Sequence, residues 1–293
     1  MILLALIAAS ILPDSPPIRQ AFLLDLGKVQ TKVTQKPESL RILDVRKKAE
    51  YDAGHVPGAV WVDVKVAETL AARPGGLRDR EAWEAFLAPI GWQPDGLIVV
   101  YGDNNQLDAA RLWWLLTYLG ARSVALMDGN YSLWVKEMRP VSKDAPKVDP
   151  KPFPVKFRGD RLATREDVAS LLKAPGETRV IDARTEGEYT GAEKRSKKAG
   201  RIPSACHLEW ATLVDQDGRF LKKDELRAKL ERAGVKPDAP VVTHCQGGGR
   251  ASVDAFVLES LDHPTKNYYL GWSDWGNVDD LPVEIGPANR RGK

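Results

Sequence analysis

Only two cysteines, Cys206 and Cys245, occur in 293 residues, and no Cys-x-x-Cys pair is present. That scarcity excludes a disulfide framework and a cysteine-based zinc site. The four histidines, His55, His207, His244 and His263, are scattered with none at ligand spacing from another, so neither a metal nor another cofactor is expected. A dominant charge is also missing: the formal net charge is +3, with 28% of residues charged. No basic helix or stacking platform stands out, which argues against a nucleic-acid partner and leaves a mild positive balance suited to small anions. The 43% hydrophobic content is ordinary for a globular chain. Its length accommodates two domains of usual size.

Long hydrophobic runs are lacking too. The apolar stretch Met1 to Ser10, followed by Pro13-Asp14-Ser15-Pro16-Pro17, falls short of the roughly eighteen residues that a membrane span needs. It reads as a short signal-peptide core, although no Lys or Arg precedes it. Residues 1–17 are therefore expected to be a signal peptide and the protein to be periplasmic or otherwise exported, with no membrane span. The alternative is a cytoplasmic protein in which these residues form an N-terminal strand.

The most informative segment present is His244-Cys245-Gln246-Gly247-Gly248-Gly249-Arg250, between the apolar run Pro240-Val241-Val242-Thr243 and the helical pattern Ala251 to Leu261. It predicts a strand, a tight loop opening on a cysteine, and a helix. Consecutive glycines allow the loop to curl until its backbone N–H groups converge on one spot, the sulfur of Cys245. Those N–H groups also start a helix, where unpaired donors and the macrodipole favour an anion, and Arg250 adds a positive charge at the rim. Cys245 is accordingly expected to be a nucleophilic thiolate. A cysteine kept only for packing needs no glycine cradle.

The chain also repeats itself. Leu43-Asp44-Val45-Arg46 with Glu50-Tyr51 recurs as Ile181-Asp182-Ala183-Arg184 with Glu188-Tyr189, and Ala53-Gly54-His55-Val56-Pro57-Gly58-Ala59 recurs as Ala199-Gly200-Arg201-Ile202-Pro203-Ser204-Ala205. Gly129, Ser132 and Trp134 answer Gly271, Ser273 and Trp275 in the same order. Between the copies, the proline-rich segment 140–154 predicts an extended surface linker. The expected organisation is a first domain over 18–139, the linker, and a second domain over 155–293. Within each unit, short β-branched runs alternate with helical stretches, which predicts α/β domains, each a mainly parallel sheet with helices on both faces. Ligands of such sheets bind beyond the carboxyl ends of the strands, where Cys245 falls. The first unit has Gly102 and Asp103 where the second has its cysteine and carries no glycine run, so it is expected to be non-catalytic and to wall one side of the pocket.

Taken together, the Asp-x-Arg pair, the Gly-His-Val-Pro-Gly-Ala element, the cysteine loop and the closing Gly-x-Ser-x-Trp resemble the tandem-domain rhodanese family of thiosulfate and 3-mercaptopyruvate sulfurtransferases. The resemblance covers about residues 38–280. It implies two rhodanese-like domains and a ping-pong cycle in which Cys245 takes the outer sulfur of a small anionic donor as a persulfide and passes it to a thiol or to cyanide. It further implies that Gln246, Gly247, Gly248, Gly249 and Arg250 hold the persulfide, that Arg184 is the nearest candidate for a second charge at the pocket, and that no general base is needed. A structural role for Arg184, paired with Asp182, is the competing reading. Two departures put the donor in doubt: Glu188 stands where animal thiosulfate enzymes place a donor-binding arginine, and Gln246 follows the cysteine. A monomer is expected.

The basic insert Thr190 to Ala199 could place Lys194, Arg195 or Arg201 at the pocket mouth, and Trp272 and Trp275 could line it. Each has a plainer reading, as solvated surface for the insert and as core for the tryptophans. Cys206 is expected to be buried and inert. The alternatives in function are a phosphatase of the same fold, whose loops have five residues between cysteine and arginine where this chain has four, and a non-catalytic sulfur carrier or interaction module.

Overall fold

The computed structural model describes residues 22–35, 40–92, 96–174 and 176–287. The expected signal peptide at 1–17 lies outside the described residues. Among the described residues nine strands form two sheets. The first contains β1 (Phe22–Leu24), β2 (Leu40–Asp44), β3 (Ala59–Trp61), β4 (Leu97–Tyr101) and β5 (Val124–Met127), in the order β1-β5-β4-β2-β3. The second contains β6 (Arg179–Asp182), β7 (Cys206–His207), β8 (Val241–His244) and β9 (Thr265–Tyr268), in the order β7-β6-β8-β9. Every strand pairing within these sheets is parallel. Matching β2 with β6 and β4 with β8 superposes the two orders, so the repeat in sequence is a repeat in topology. Among the described residues no helix is long and apolar enough to cross a membrane.

The repeated Asp-x-Arg pairs do the same work in both units. Arg46 donates from Nε and Nη2 to Asp44 and from Nη2 to the Gly54 carbonyl, and its guanidinium lies 3.6 Å from the centre of the Tyr131 ring. Arg184 makes the same bonds to Asp182 and the Gly200 carbonyl, over the Trp272 ring at 4.4 Å. Tyr51 and Tyr189 each donate a 2.8 Å bond, to the carbonyls of Ala59 and Ala205. These buried forks tie the end of a strand to the loop that returns to the sheet edge.

The units are joined through two helices, Leu107–Tyr118 and Gly249–Ser260. The first is buried on every side from Ala109 to Tyr118 and the second from Ala251 to Leu258, as helices sandwiched between two sheets must be. Trp113 meets Phe256 edge to face at 5.0 Å, and Trp114 stacks on Tyr269 at 5.0 Å. One continuous apolar core thus contains residues of both repeats, among them Leu116, Val253 and Phe256. The segment following Pro140 is extended, but it is fastened rather than loose. Ser142 exchanges backbone hydrogen bonds with His55, the Lys151 N–H donates to the Ala88 carbonyl, and buried Phe153 packs on Trp92.

Candidate active site

Cys245 stands immediately beyond the end of β8 and is 2% exposed. The loop after it is held from outside by its carbonyls. Cys245 O accepts from the Trp272 N–H at 2.7 Å, Gln246 O from Ser273 N–H at 2.9 Å, Gly247 O from Arg111 Nη1 at 2.9 Å, and Gly248 O from Ser252 N–H at 2.9 Å. The backbone N–H groups of Gln246, Gly247, Gly248, Arg250 and Ala251 find no acceptor among the described residues. Engaged carbonyls and unengaged N–H groups are what an anion-binding nest requires. Gly248 sits at φ +83°, and a methyl built on it would overlap the Tyr269 ring. Its glycine is therefore needed both for the turn and for the ring beside it.

Arg250 is present as expected but is not a free charge. Its guanidinium grips Glu188 with two bonds, 2.5 and 3.0 Å, and Glu188 is itself bound by the Thr185 N–H and hydroxyl. Burial works against both charges, yet the mutual hydrogen bonds and attraction outweigh it, lowering the Glu188 pKa and raising that of Arg250. Arg250 lines the cleft over Cys245, where the sequence placed its positive charge, with that charge paired to Glu188. Arg195 of the basic insert adds a second cation 3.6 Å from Glu188.

Arg184 is not among the residues that line the cleft. It is 1% exposed, its Nε and Nη2 are engaged by Asp182 and Gly200, and the mirror arrangement at Arg46 occurs in a unit without a cysteine. The structural reading of this arginine therefore replaces the donor-binding one. Trp272 and Trp275 are likewise core residues, 1% and 0% exposed, and Arg201 is turned away into a pair with Glu284. Of the insert's candidates, Arg195 reaches the cleft. The Gln246 amide donates to Ser196 Oγ and to the Arg195 carbonyl, holding the insert against the loop. Cys206 is half-buried in β7, where burial pushes its thiol up.

The cleft over Cys245 has a volume of about 690 Å³ and is lined from both repeats, with Asn104 and Arg111 of the first facing Trp210, Arg250 and Tyr269 of the second. Arg111 and Trp210 escaped the sequence reading. One signal for Arg111 was available: it is a single charge within the apolar run Ala109-Ala110-Arg111-Leu112-Trp113-Trp114, and such a charge must find partners when the helix is buried.

Beneath the loop, His244 and Asp254 are fully buried, and no ring nitrogen of the one or carboxyl oxygen of the other has a hydrogen-bond partner among the described residues. Burial lowers His244 to about 4, despite Asp182 at 3.6 Å. Burial, aided by the nearby Cys245 sulfur and Asp182, raises Asp254 well above the usual carboxylate range. An imidazole that resists protonation and a carboxyl that resists ionisation thus lie under the site. Among the described residues no cluster of His, Cys, Asp and Glu could hold a metal ion.

Comparison with known proteins agrees with this arrangement. The rhodanese-like domain model matches residues 28–137 and again 164–277. The thiosulfate sulfurtransferase of Azotobacter vinelandii is 32% identical over 248 residues, covering 84% of this chain and 91% of the relative. That of Pseudomonas aeruginosa is 33% identical over 248 residues, covering 84% and 91%. Among solved structures, SseA from Escherichia coli, described as a 3-mercaptopyruvate sulfurtransferase, aligns with a TM-score of 0.73 at 24% identity over 87% of this chain and 100% of its own. With two parallel sheets in matching order and the family model matched once in each half, the chain belongs to the rhodanese family as a tandem of two rhodanese-like domains.

Proposed function

We infer that the protein is a sulfurtransferase that carries sulfur on Cys245, taking it from a small anionic donor, thiosulfate or 3-mercaptopyruvate, and giving it to a thiol or to cyanide. The observation that carries this reading is the loop itself, whose Cys245, Gln246, Gly247 and Gly248 carbonyls are held by outside donors while the N–H groups of Gln246, Gly247, Gly248, Arg250 and Ala251 remain unengaged beside a buried sulfur. The Cys245 thiolate attacks the outer sulfur of thiosulfate. A new S–S bond forms, the old one breaks, and sulfite leaves with its electron pair. With 3-mercaptopyruvate a C–S bond breaks instead, and the leaving enolate takes a proton from water to become pyruvate. The persulfide left on Cys245 is an anion, and the free N–H groups stabilise it without a proton relay. An acceptor thiolate or cyanide then attacks the outer sulfur and returns the electron pair to Cys245. Neutral, buried His244 fits a cycle that needs no base at this position.

Treatment with donor should add one sulfur to the peptide containing Cys245, read by mass spectrometry, and Cys245→Ser should abolish transfer. Sulfur found on Cys206 instead would overturn the assignment, and Cys206→Ser is expected to keep most activity. The phosphatase alternative is disfavoured because only four residues separate Cys245 from Arg250 and because the Arg250 fork is already filled by Glu188. Hydrolysis of an aryl phosphate at a rate lost in Cys245→Ser would restore it. Action as a monomer and export through residues 1–17 remain part of this proposal, to be checked by solution mass and by the N-terminal sequence of the mature protein.

A further inference from the structure

Arg111 lies on the Leu107–Tyr118 helix of the first domain, yet it reaches across to the sulfur loop of the second. Nη1 donates to the Gly247 carbonyl at 2.9 Å and to the Tyr269 hydroxyl at 3.2 Å, and Nη2 donates to Glu68 at 3.4 Å. Asp108 is 3.9 Å from Nε, too far for a hydrogen bond, and Nε has no partner among the described residues. The guanidinium packs where Gly249 has no side chain: a methyl built there would overlap it. Tyr269 fills the corresponding space at Gly248. Two of the three loop glycines are thus seats for groups clamped together by a residue of the other domain.

We propose that Arg111 is a positioning residue for sulfur transfer, holding the Gly247 carbonyl so that the N–H groups of the Cys245 loop keep the orientation the persulfide needs. This rests on the sulfurtransferase reading. Because a peptide is planar and trans, its C=O and N–H point in opposite directions. Fixing the Gly247 carbonyl on Arg111 therefore fixes the direction of the Gly248 N–H, one of the unengaged donors. The positive charge matters as well. Arg250 is bound at two points by a carboxylate that is 2% exposed, whereas the carboxylates near Arg111, Glu68 and Asp108, are longer-range partners and more exposed. Arg111 and Arg250 both interact electrostatically with the Cys245 sulfur, and the carboxylate contacts of Arg111 are the longer ones. The repeat that has no cysteine is in this sense part of the catalytic apparatus.

The test compares wild type, Arg111→Met and Arg111→Lys in the full chain, measuring persulfide formation from thiosulfate in single turnovers alongside circular dichroism and thermal melting. A positioning role requires Arg111→Met to slow the saturating rate at least tenfold per folded molecule while the half-saturating donor concentration changes less than threefold. Arg111→Lys keeps the charge without the fork and should fall between the two, three- to tenfold slow. Lysine at the wild-type rate would overturn the proposal even if the methionine variant failed to fold. A rate loss that disappears when corrected for the folded fraction would overturn it as well. So would a rise in half-saturating concentration at unchanged saturating rate, which would make Arg111 a donor-binding residue. Absence of sulfur transfer in the wild type would instead refute the underlying function.

Discussion

Glu188 and Arg250 are joined by two hydrogen bonds, of 2.5 and 3.0 Å, directly beside the Cys245 loop. The cation at the end of the Cys-to-Arg loop is therefore met by an internal anion before any donor arrives. Replacing Glu188 by Gln leaves Arg250 with a neutral partner and shifts the local charge by one unit. The expected outcome is a lower half-saturating concentration for thiosulfate, with a steeper dependence on ionic strength. Loss of the pair from a largely buried site should also cost on the order of 2 kcal/mol of stability. Steady-state kinetics at several salt concentrations and a thermal melt measure both, and donor affinity indifferent to the substitution would show that the Arg250 charge is not sensed at the cleft.

Gly248→Val should suppress turnover strongly. The position has φ +83° and the Tyr269 ring lies where a side chain would go, so backbone strain of about 1–3 kcal/mol adds to a steric conflict. The loop is expected to rearrange while the sheets remain intact. Single-turnover persulfide formation and circular dichroism separate the two effects, and an active Gly248→Val enzyme would mean that the cradle tolerates another shape.

The twin Asp-x-Arg forks permit an internal control. Arg46→Met and Arg184→Met each leave a fully buried carboxylate, Asp44 or Asp182, without its partner. Each should lower stability by about 3–5 kcal/mol. Neither should alter the half-saturating donor concentration of the molecules that fold. A specific effect of Arg184→Met on donor binding would return this residue to the pocket.

Asp254 and His244 predict a pH dependence of stability. In the unfolded chain an aspartate loses its proton near 3.8, whereas folded Asp254 retains it to much higher pH. The folded state then binds more protons, and stability is lost as pH rises from about 4 through the folded value. Asp254→Asn removes that loss and should melt above wild type at pH 8, with the gain vanishing near pH 4. His244 acts in the opposite direction: its folded value near 4 lies below 6.5, so its contribution falls away as pH drops from about 6.5 to about 4. Melting curves across pH 4–8 for wild type and Asp254→Asn would reveal both, and parallel curves would exclude a buried proton on Asp254.

Local features were legible in the sequence. The cysteine loop, the duplicated motifs and the parallel character of the sheets follow from short-range patterns: glycines that permit a turn, β-branched runs alternating with helical stretches, and prolines that end a helix. Contacts across long separations were not. Arg111 reaches Gly247 over 136 positions, and Glu188 meets Arg250 over 62. The first leaves one local trace, a charged residue in an apolar run, and the second leaves none. The tryptophans of the closing element looked equally suited to a mouth and to a core. Burial decided for the core, because Trp272 is covered by the Arg184 guanidinium and Trp275 donates to the Pro282 carbonyl inside the second domain. Trp210 took the place at the cleft.

The two long helices packed between the sheets make the repeats mutually dependent. The helix that follows Cys245 presents Val253, Ala255 and Phe256 to the first repeat, and that repeat presents Trp113, Leu116 and Trp114 in return. Severed at the linker, each half would bare a broad greasy surface and associate with whatever could cover it. Melting should therefore proceed as one cooperative event despite two sheets, and amides of both helices should exchange with solvent at the same slow, global rate. The repeated halves form a single thermodynamic unit, in which the half without a cysteine can be neither trimmed away nor exchanged freely.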